Sequence, residues 1–236
     1  MTAPLMQVQA LDVYYGHFHA VHDIDLEVGA GEIVSVIGAN GAGKSSVLKA
    51  LMGQADRADG RILLDGQEIG ELTTPERIKK GVALVPEGRR LFPSLSVEEN
   101  LKIGLYTARP GGIGLREIFD LFPVLQERRS QKASQLSGGQ QQMVAIGRAL
   151  LMNPRIILFD EISLGLAPLI VQNIYEILPD LRATGAGIVV VEQDISRSLA
   201  VADRFYCLLE GRVTLSGRPQ DVTREDVANS YFGMNH

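Results

Sequence analysis

Apolar and polar positions follow two different periods along this chain, and the periods divide it. In Ile24-Asp25-Leu26-Glu27-Val28 apolar and acidic residues alternate strictly. That is the period of a half-buried strand, and the first forty residues read as strands. Glu32 to Ile37 (EIVSVI) is a strand running into a glycine-rich turn. SSVLKALMG follows, with Val47, Leu48 and Leu51 at helical spacing and Gly53 placed to stop the helix. Arg61 to Gly66 predicts a short strand and turn, and Val82 to Val85 a buried strand. Thr74-Pro75-Glu76 between them predicts a helix start, with proline where a missing N–H is harmless.

From residue 88 to 152 the character changes. Pro93, Pro110 and Pro123 interrupt short helical pieces, and runs of strand type almost vanish. Ser96 with Glu99, and Ser137 with Gln140, have the spacing of a capping box, so helices are expected to begin near 97 and 138. Strands return at Ile156 to Phe159, Gly187 to Val191 and Arg204 to Leu209. The first two are unbroken by polar residues, as strands covered on both faces by helices are. The pattern predicts an α/β core interrupted by a helical arm, with no internal repeat.

Composition narrows the class. With 236 residues, 45% hydrophobic and 22% charged, the chain is globular rather than disordered or fibrous, and long enough to bury roughly 70% of its unfolded surface. Its single cysteine, Cys207, excludes an internal disulfide, fits a reducing compartment, and reads as a small buried hydrophobe within Phe205 to Leu209. The opening residues lack a basic start followed by an apolar core, and no run approaches the roughly 18 apolar residues of a membrane span. Neither a secreted precursor nor a membrane-spanning chain is expected. A net charge of -5 points away from nucleic acid as a partner and leaves room for a small anion held by local geometry.

That geometry is written in Gly38-Ala39-Asn40-Gly41-Ala42-Gly43-Lys44-Ser45, which satisfies G-x-x-x-x-G-K-[ST] between an expected strand and an expected helix. Glycines let backbone N–H groups turn inward around phosphate oxygens, and the helix N-terminus adds partial positive charge. Lys44 can reach the β- and γ-phosphates, and the Ser45 hydroxyl can ligate Mg²⁺. The expected nucleotide-binding set therefore runs from Gly38 through Ser46. Arg155 to Glu161 is an apolar strand ending in two acids. Asp160 is expected to hold Mg²⁺ through its water shell, and Glu161 to take a proton from the attacking water or orient it.

Leu136-Ser137-Gly138-Gly139-Gln140, lying between those two motifs, resembles the signature of ABC-transporter ATPase subunits. The resemblance covers nearly the whole chain: Tyr15 before Gly16, then Gly38 to Ser45, Glu87, Leu136 to Gln140, Asp160 with Glu161, and Gln193 fall in family order. It implies a P-loop NTPase (RecA-like) α/β core, with an N-terminal antiparallel β subdomain and an inserted α-helical subdomain. As domains this gives a single ABC ATPase domain over 1–236, with the nucleotide-binding core at 1–87 and 153–236 and the helical signature subdomain at 88–152. It also implies ATP and Mg²⁺ as cofactors and Tyr15 stacking on adenine, with a strand aromatic filling core as the alternative for that tyrosine. Metal contacts are expected from Ser45, Glu87 and Asp160, and catalysis from Glu161 and Gln193. Ser137, Gly138, Gly139 and Gln140, a second anion site at a helix N-terminus, are expected to close in trans over nucleotide held by a second, head-to-tail subunit. Partners are two membrane permeases and, indirectly, a periplasmic binding protein; the place is the cytoplasmic face of the membrane, peripherally.

Departures from the family pattern sharpen the resemblance. Most members have Gln at Glu87, His at Gln193, Pro at Ile162 and Asp at Ala167. The segments VPEGRR, SLGLAP and VEQ are similar to one of the two ATPase subunits of the high-affinity importer for branched-chain amino acids; urea or amide importers share much of this. Ile162 departs even from that subgroup. A soluble ABC ATPase acting on nucleic acid, ribosomes or cluster assembly is a competing class, but the chain has one P-loop and no sustained heptads. A P-loop kinase or GTPase would have no use for the signature. Arg89, Arg90, Arg128 and Arg129 form basic pairs on a solvated face or against a membrane partner. His17, His19 and His22 have no cysteine near and no second ligand cluster at zinc spacing, so no metal is assigned to them.

Overall fold

The computed structural model describes residues 3–234, and its strands sort by how their apolar positions are spaced. In chain order they are β1 (Met6–Tyr15), β2 (Phe18–Val28), β3 (Ile33–Gly38), β4 (Arg57–Leu64), β5 (Gln67–Glu68), β6 (Val82–Val85), β7 (Ile156–Asp160), β8 (Gly187–Glu192), β9 (Arg204–Leu209) and β10 (Arg212–Gly217). The alternating N-terminal strands pair antiparallel in the order β2-β1-β4-β5. The unbroken apolar runs, with the polar β10 added at one edge, form a six-stranded sheet, β10-β9-β3-β8-β7-β6, parallel except for the β9–β10 hairpin. β4 starts four residues earlier than the expected Arg61, because the ladder to β1 continues through Tyr14 opposite Arg57 although this stretch is polar.

Side chains alternate across a strand, and the six-stranded sheet has a core on each face. Ile33, Ile157, Phe159, Ile188 and Val190 pack on one side with the helical arm. Val34, Val36, Leu158, Val189 and Val191 pack on the other with the antiparallel sheet and with α1 (Lys44–Met52). Both faces being covered is why β3 and β8 are apolar at nearly every position. After α2 (Thr74–Lys80), the arm carries α3 (Val97–Leu105), α4 (Leu115–Leu121), α5 (Pro123–Glu127) and α6 (Gly138–Leu150). α3 and α6 start behind complete capping boxes at Ser96 and Ser137. The chain then adds α7 (Pro168–Glu176), α8 (Leu178–Ala183), α9 (Ile195–Val201) and α10 (Arg224–Phe232). Ile162 is 1% exposed within the core that contains the arm, which accounts for an apolar residue there. Buried Arg77 of α2 donates to the carbonyls of Ala50, Leu51, Gly70 and Leu72, tying the end of α1 to the β5–α2 connection.

Candidate nucleotide site

Three parallel strands deliver the expected chemistry to one edge of the sheet. β3 runs into the glycine loop, β7 ends at Asp160, and β8, lying between them, ends at Glu192 just before Gln193. Ile37 is in register with Glu192, and Asp160 with Val191, so segments far apart in sequence arrive at the same height. This is the carboxyl edge where open α/β sheets bind ligands.

The loop then turns into α1 through Gly43, whose φ of +100° lies in the left-handed region. A Cβ there would also stand 3.0 Å from the Ala20 carbonyl oxygen, so conformation and space both require glycine. Lys44 is buried. Its Nζ donates to Gly38 O at 2.8 Å and Ala39 O at 3.1 Å and stands 3.6 Å from Glu161 Oε1. The Ser45 hydroxyl donates to Asp160 Oδ1 at 3.0 Å. Burial pushes the Asp160 carboxyl up; the Ser45 hydrogen bond offsets part of this, and the charges of Glu161 and Glu87 push it further. A hydroxyl and carboxylates that repel one another are hard oxygen donors of the kind Mg²⁺ takes, so the residues present fit that ion.

Glu161 itself has φ +46°, a strained conformation for a residue with a side chain, costing roughly 1–3 kcal/mol. Its backbone N–H donates to Val191 O at 3.0 Å, and its Oε2 accepts from Gln193 Nε2 at 2.8 Å. Gln193, expected to take part in catalysis, thus has its amide on the neighbouring carboxylate.

Around these groups lies a cavity of about 470 Å³ lined by Tyr15, Asn40, Gly41, Gly43, Lys44, Ser45, Ser46, Glu87, Glu161 and Gln193. Gly38 and Ala42 are buried behind this wall, and Ala39 is not part of its lining. Tyr15 also borders a larger cavity of about 760 Å³ that takes in Asp160 and extends to Ile103 and Tyr106. Its ring lies under Lys49 Nζ at 5.6 Å, and its hydroxyl is buried without a hydrogen-bond partner.

Ser137, Gly138, Gly139 and Gln140 line neither cavity. They open α6, where Ser137 Oγ accepts from Gln140 N and Gln140 Oε1 accepts from Ser137 N. A Cβ on Gly139 would fall 2.4 Å from Ile170 Cγ2, so glycine here lets α6 meet α7. The Arg89 guanidinium lies over Gly138 and adds positive charge to an exposed helix N-terminus.

Two features escaped the sequence reading. Phe18, 68% exposed, borders the smaller cavity from the tip of the β1–β2 hairpin, and only its place after Tyr15 and Gly16 could have pointed to it. Glu192 is buried and accepts hydrogen bonds from Ser163. Its signal was available: IVVVE is an apolar strand ending in an acid, as IILFD is.

The ABC transporter family model matches residues 21–163, from within β2 past the two acids that end β7. The chain belongs to the ABC transporter ATP-binding family. As an ABC cassette it is a nucleotide-binding, ATP-hydrolysing subunit. It is 43% identical over 232 residues to the high-affinity branched-chain amino acid transport ATP-binding protein BraG of Pseudomonas aeruginosa, covering 97% of this chain and 100% of that one. A probable branched-chain amino acid transport ATP-binding protein, LivF of Archaeoglobus fulgidus, is 34% identical, covering 94% and 95%. The lipopolysaccharide export ATP-binding protein LptB of Escherichia coli (strain K12) is 32% identical, covering 90% of each chain. Among solved structures, a dimeric post-hydrolysis state of the ATP-binding cassette MJ0796 bound to ADP and Pi is similar with a TM-score of 0.79 and 27% identity, covering 91% of this chain and 98% of that one. No helix of this ABC cassette, among its described residues, is long and apolar enough to cross a membrane.

Proposed function

We propose that this ABC ATPase drives the uptake of branched-chain amino acids, pairing head to tail with a second cassette beneath two membrane permeases that receive substrate from a periplasmic binding protein. The observation that carries the substrate class is the 43% identity to BraG across the full length of both chains, against 32% to the lipopolysaccharide export relative. The head-to-tail pairing is supported by the separation of two anion-binding surfaces on one chain: the signature at the start of α6 lines no part of the cavity at the end of β3.

In this reading Ser45, Asp160 and Glu87 would hold Mg²⁺, which supplies charge neutralisation at the β- and γ-phosphates. Lys44 exchanges the Gly38 and Ala39 carbonyls for phosphate oxygens. Glu161 takes the proton of the attacking water, and the Gln193 amide fixes which way that carboxylate faces. Tyr15 stacks on the base. Ser137, Gly138 and Gly139 of the second subunit complete the cage, closing the dimer only when triphosphate is present. The helical residues 88–152 form the arm that carries the signature and receives the permease.

The test is reconstitution of the complex in vesicles with the binding protein outside. Leucine, isoleucine or valine should stimulate ATP hydrolysis and accumulate inside. Stimulation by urea or a short amide, with none by these amino acids, would move the substrate to that neighbouring class, and hydrolysis indifferent to permeases would remove the transport role.

A further inference from the structure

The β1–β2 hairpin gathers ligating side chains that belong to no part of the nucleotide site. Residues three apart in a regular strand point to opposite faces, which would separate His19 from His22. Two slips of register change this. Leu11 pairs with Ile24, Val13 with Val21 and Tyr14 with His19, so β2 carries an extra residue on each side of Val21, and Asp23 adopts φ +50° there. Asp12, two residues from Tyr14, shares the face on which Tyr14 stacks against His19 at 4.1 Å, and the His22 ring lies 3.8 Å from that of His19. His19 Nε2 is 2.7 Å from Asp12 Oδ1, and one ligand atom from each of Asp12, His19 and His22 lies within 4.8 Å of the other two.

We propose that Asp12, His19 and His22 form a site for a divalent transition-metal ion of the zinc class. Two imidazole nitrogens and one carboxylate oxygen match the borderline character of such an ion and leave a fourth position for water. Tetrahedral bonds of about 2.0–2.1 Å put ligand atoms roughly 3.4 Å apart, so the Asp12–His19 contact opens slightly while His22 closes in. The side chains of His19 and Asp12 are 32% and 29% exposed, which lets them adjust without disturbing the core. Ligation needs neutral imidazole, so binding should weaken as pH falls. The Asp23 N–H donates to the same Asp12 Oδ1 at 3.2 Å and helps to orient the carboxylate. The hairpin tip bears Tyr15 and Phe18 on the cavity wall, so the ion would brace that wall from outside rather than share the oxygen donors at Ser45 and Asp160.

The experiment titrates the chelator-treated full chain with Co²⁺, read by its visible absorption, and with Zn²⁺, read by imidazole nitrogen NMR. The chain has only four histidines, so each can be assigned. One equivalent should bind, shifting His19 and His22 but not His17, and should remain bound under saturating Mg-ATP. Asp12→Asn should weaken binding at least about tenfold, and the His19→Ala/His22→Ala pair should abolish it with ATP affinity retained. If that double variant unfolds, Asp12→Asn alone decides. The absence of a saturable equivalent, binding unchanged in Asp12→Asn or in a folded double variant, or release by Mg-ATP would each overturn the site.

Discussion

The Ser163 hydroxyl donates to the Glu192 carboxylate at 2.8 Å, and the Ser163 backbone N–H donates to the same carboxylate at 3.1 Å. This bond lies beside the Gln193–Glu161 contact, so two side-chain rungs join the segment after β7 to the end of β8. Burial pushes the Glu192 carboxyl up, and the Ser163 hydrogen bonds offset part of that. An acid raised in the folded state contributes stability that is fully present below its ordinary range and is lost as pH rises through the raised value. Glu192→Gln removes the titration and keeps an acceptor for the Ser163 N–H. Its melting temperature relative to wild type should therefore climb as pH rises above the ordinary carboxylate range, by calorimetry; a constant difference would contradict the burial argument. Ser163→Ala should cost about 1.5–3 kcal/mol, the range for a hydrogen bond to a charged group.

Glu161→Gln should retain ATP binding and lose about 10²–10⁴ in hydrolysis, the usual range for removal of a general base. ATP should then hold the protein as a closed dimer, visible by light scattering. Near-normal turnover would take Glu161 out of the mechanism.

Lys44→Ala deletes a buried cation that faces the cavity and should weaken nucleotide binding to the isolated subunit. Ser137→Arg should leave that binding intact while blocking hydrolysis by the pair, because Ser137 is exposed and lines no part of this chain's own cavity. Fluorescent-nucleotide titration of the monomer separates the two, and equal losses would break the two-surface account.

Gln193→His places an imidazole beside Glu161 Oε2, where a carboxylate favours the protonated ring. The pH–rate profile should gain an inflection above the ordinary value of about 6.5, while wild type has no such histidine titration. Superimposable profiles would show that position 193 does not influence the reacting groups.

Ala167 is the N-cap of α7 and has no side chain to accept a bond from the first turn. Ala167→Asp should stabilise the fold by about 0.5–2 kcal/mol, measured by denaturant unfolding.

The sequence made local structure legible where one segment contains its own reasons. The glycine loop, the two capping boxes and the apolar strands needed nothing from elsewhere. β10 and α10 were harder: β10 alternates half-exposed positions and pairs only with β9, and α10 buries little beyond Val227 and Ser230. The Thr223–Asp226 box that starts α10 was readable yet had no apolar period behind it. At the candidate site, the residues at the strand ends could be named but not their mutual aim. That Gln193 reaches Glu161 follows from β8 lying beside β7, a fact of sheet order, and the Asp12–His19–His22 cluster follows from bulges that no periodicity announces.

The order of the six-stranded sheet also sets a timetable for synthesis. β3, which carries the glycine loop, has β8 and β9 as its two neighbours, and both come from the last quarter of the chain. At about 5–20 residues per second, the loop leaves the ribosome roughly seven to thirty seconds before anything exists to pair with the strand that bears it. A nascent or truncated product ending before β8 therefore contains the entire phosphate-binding sequence and no phosphate-binding site, so cellular ATP becomes a ligand only when the molecule is nearly complete.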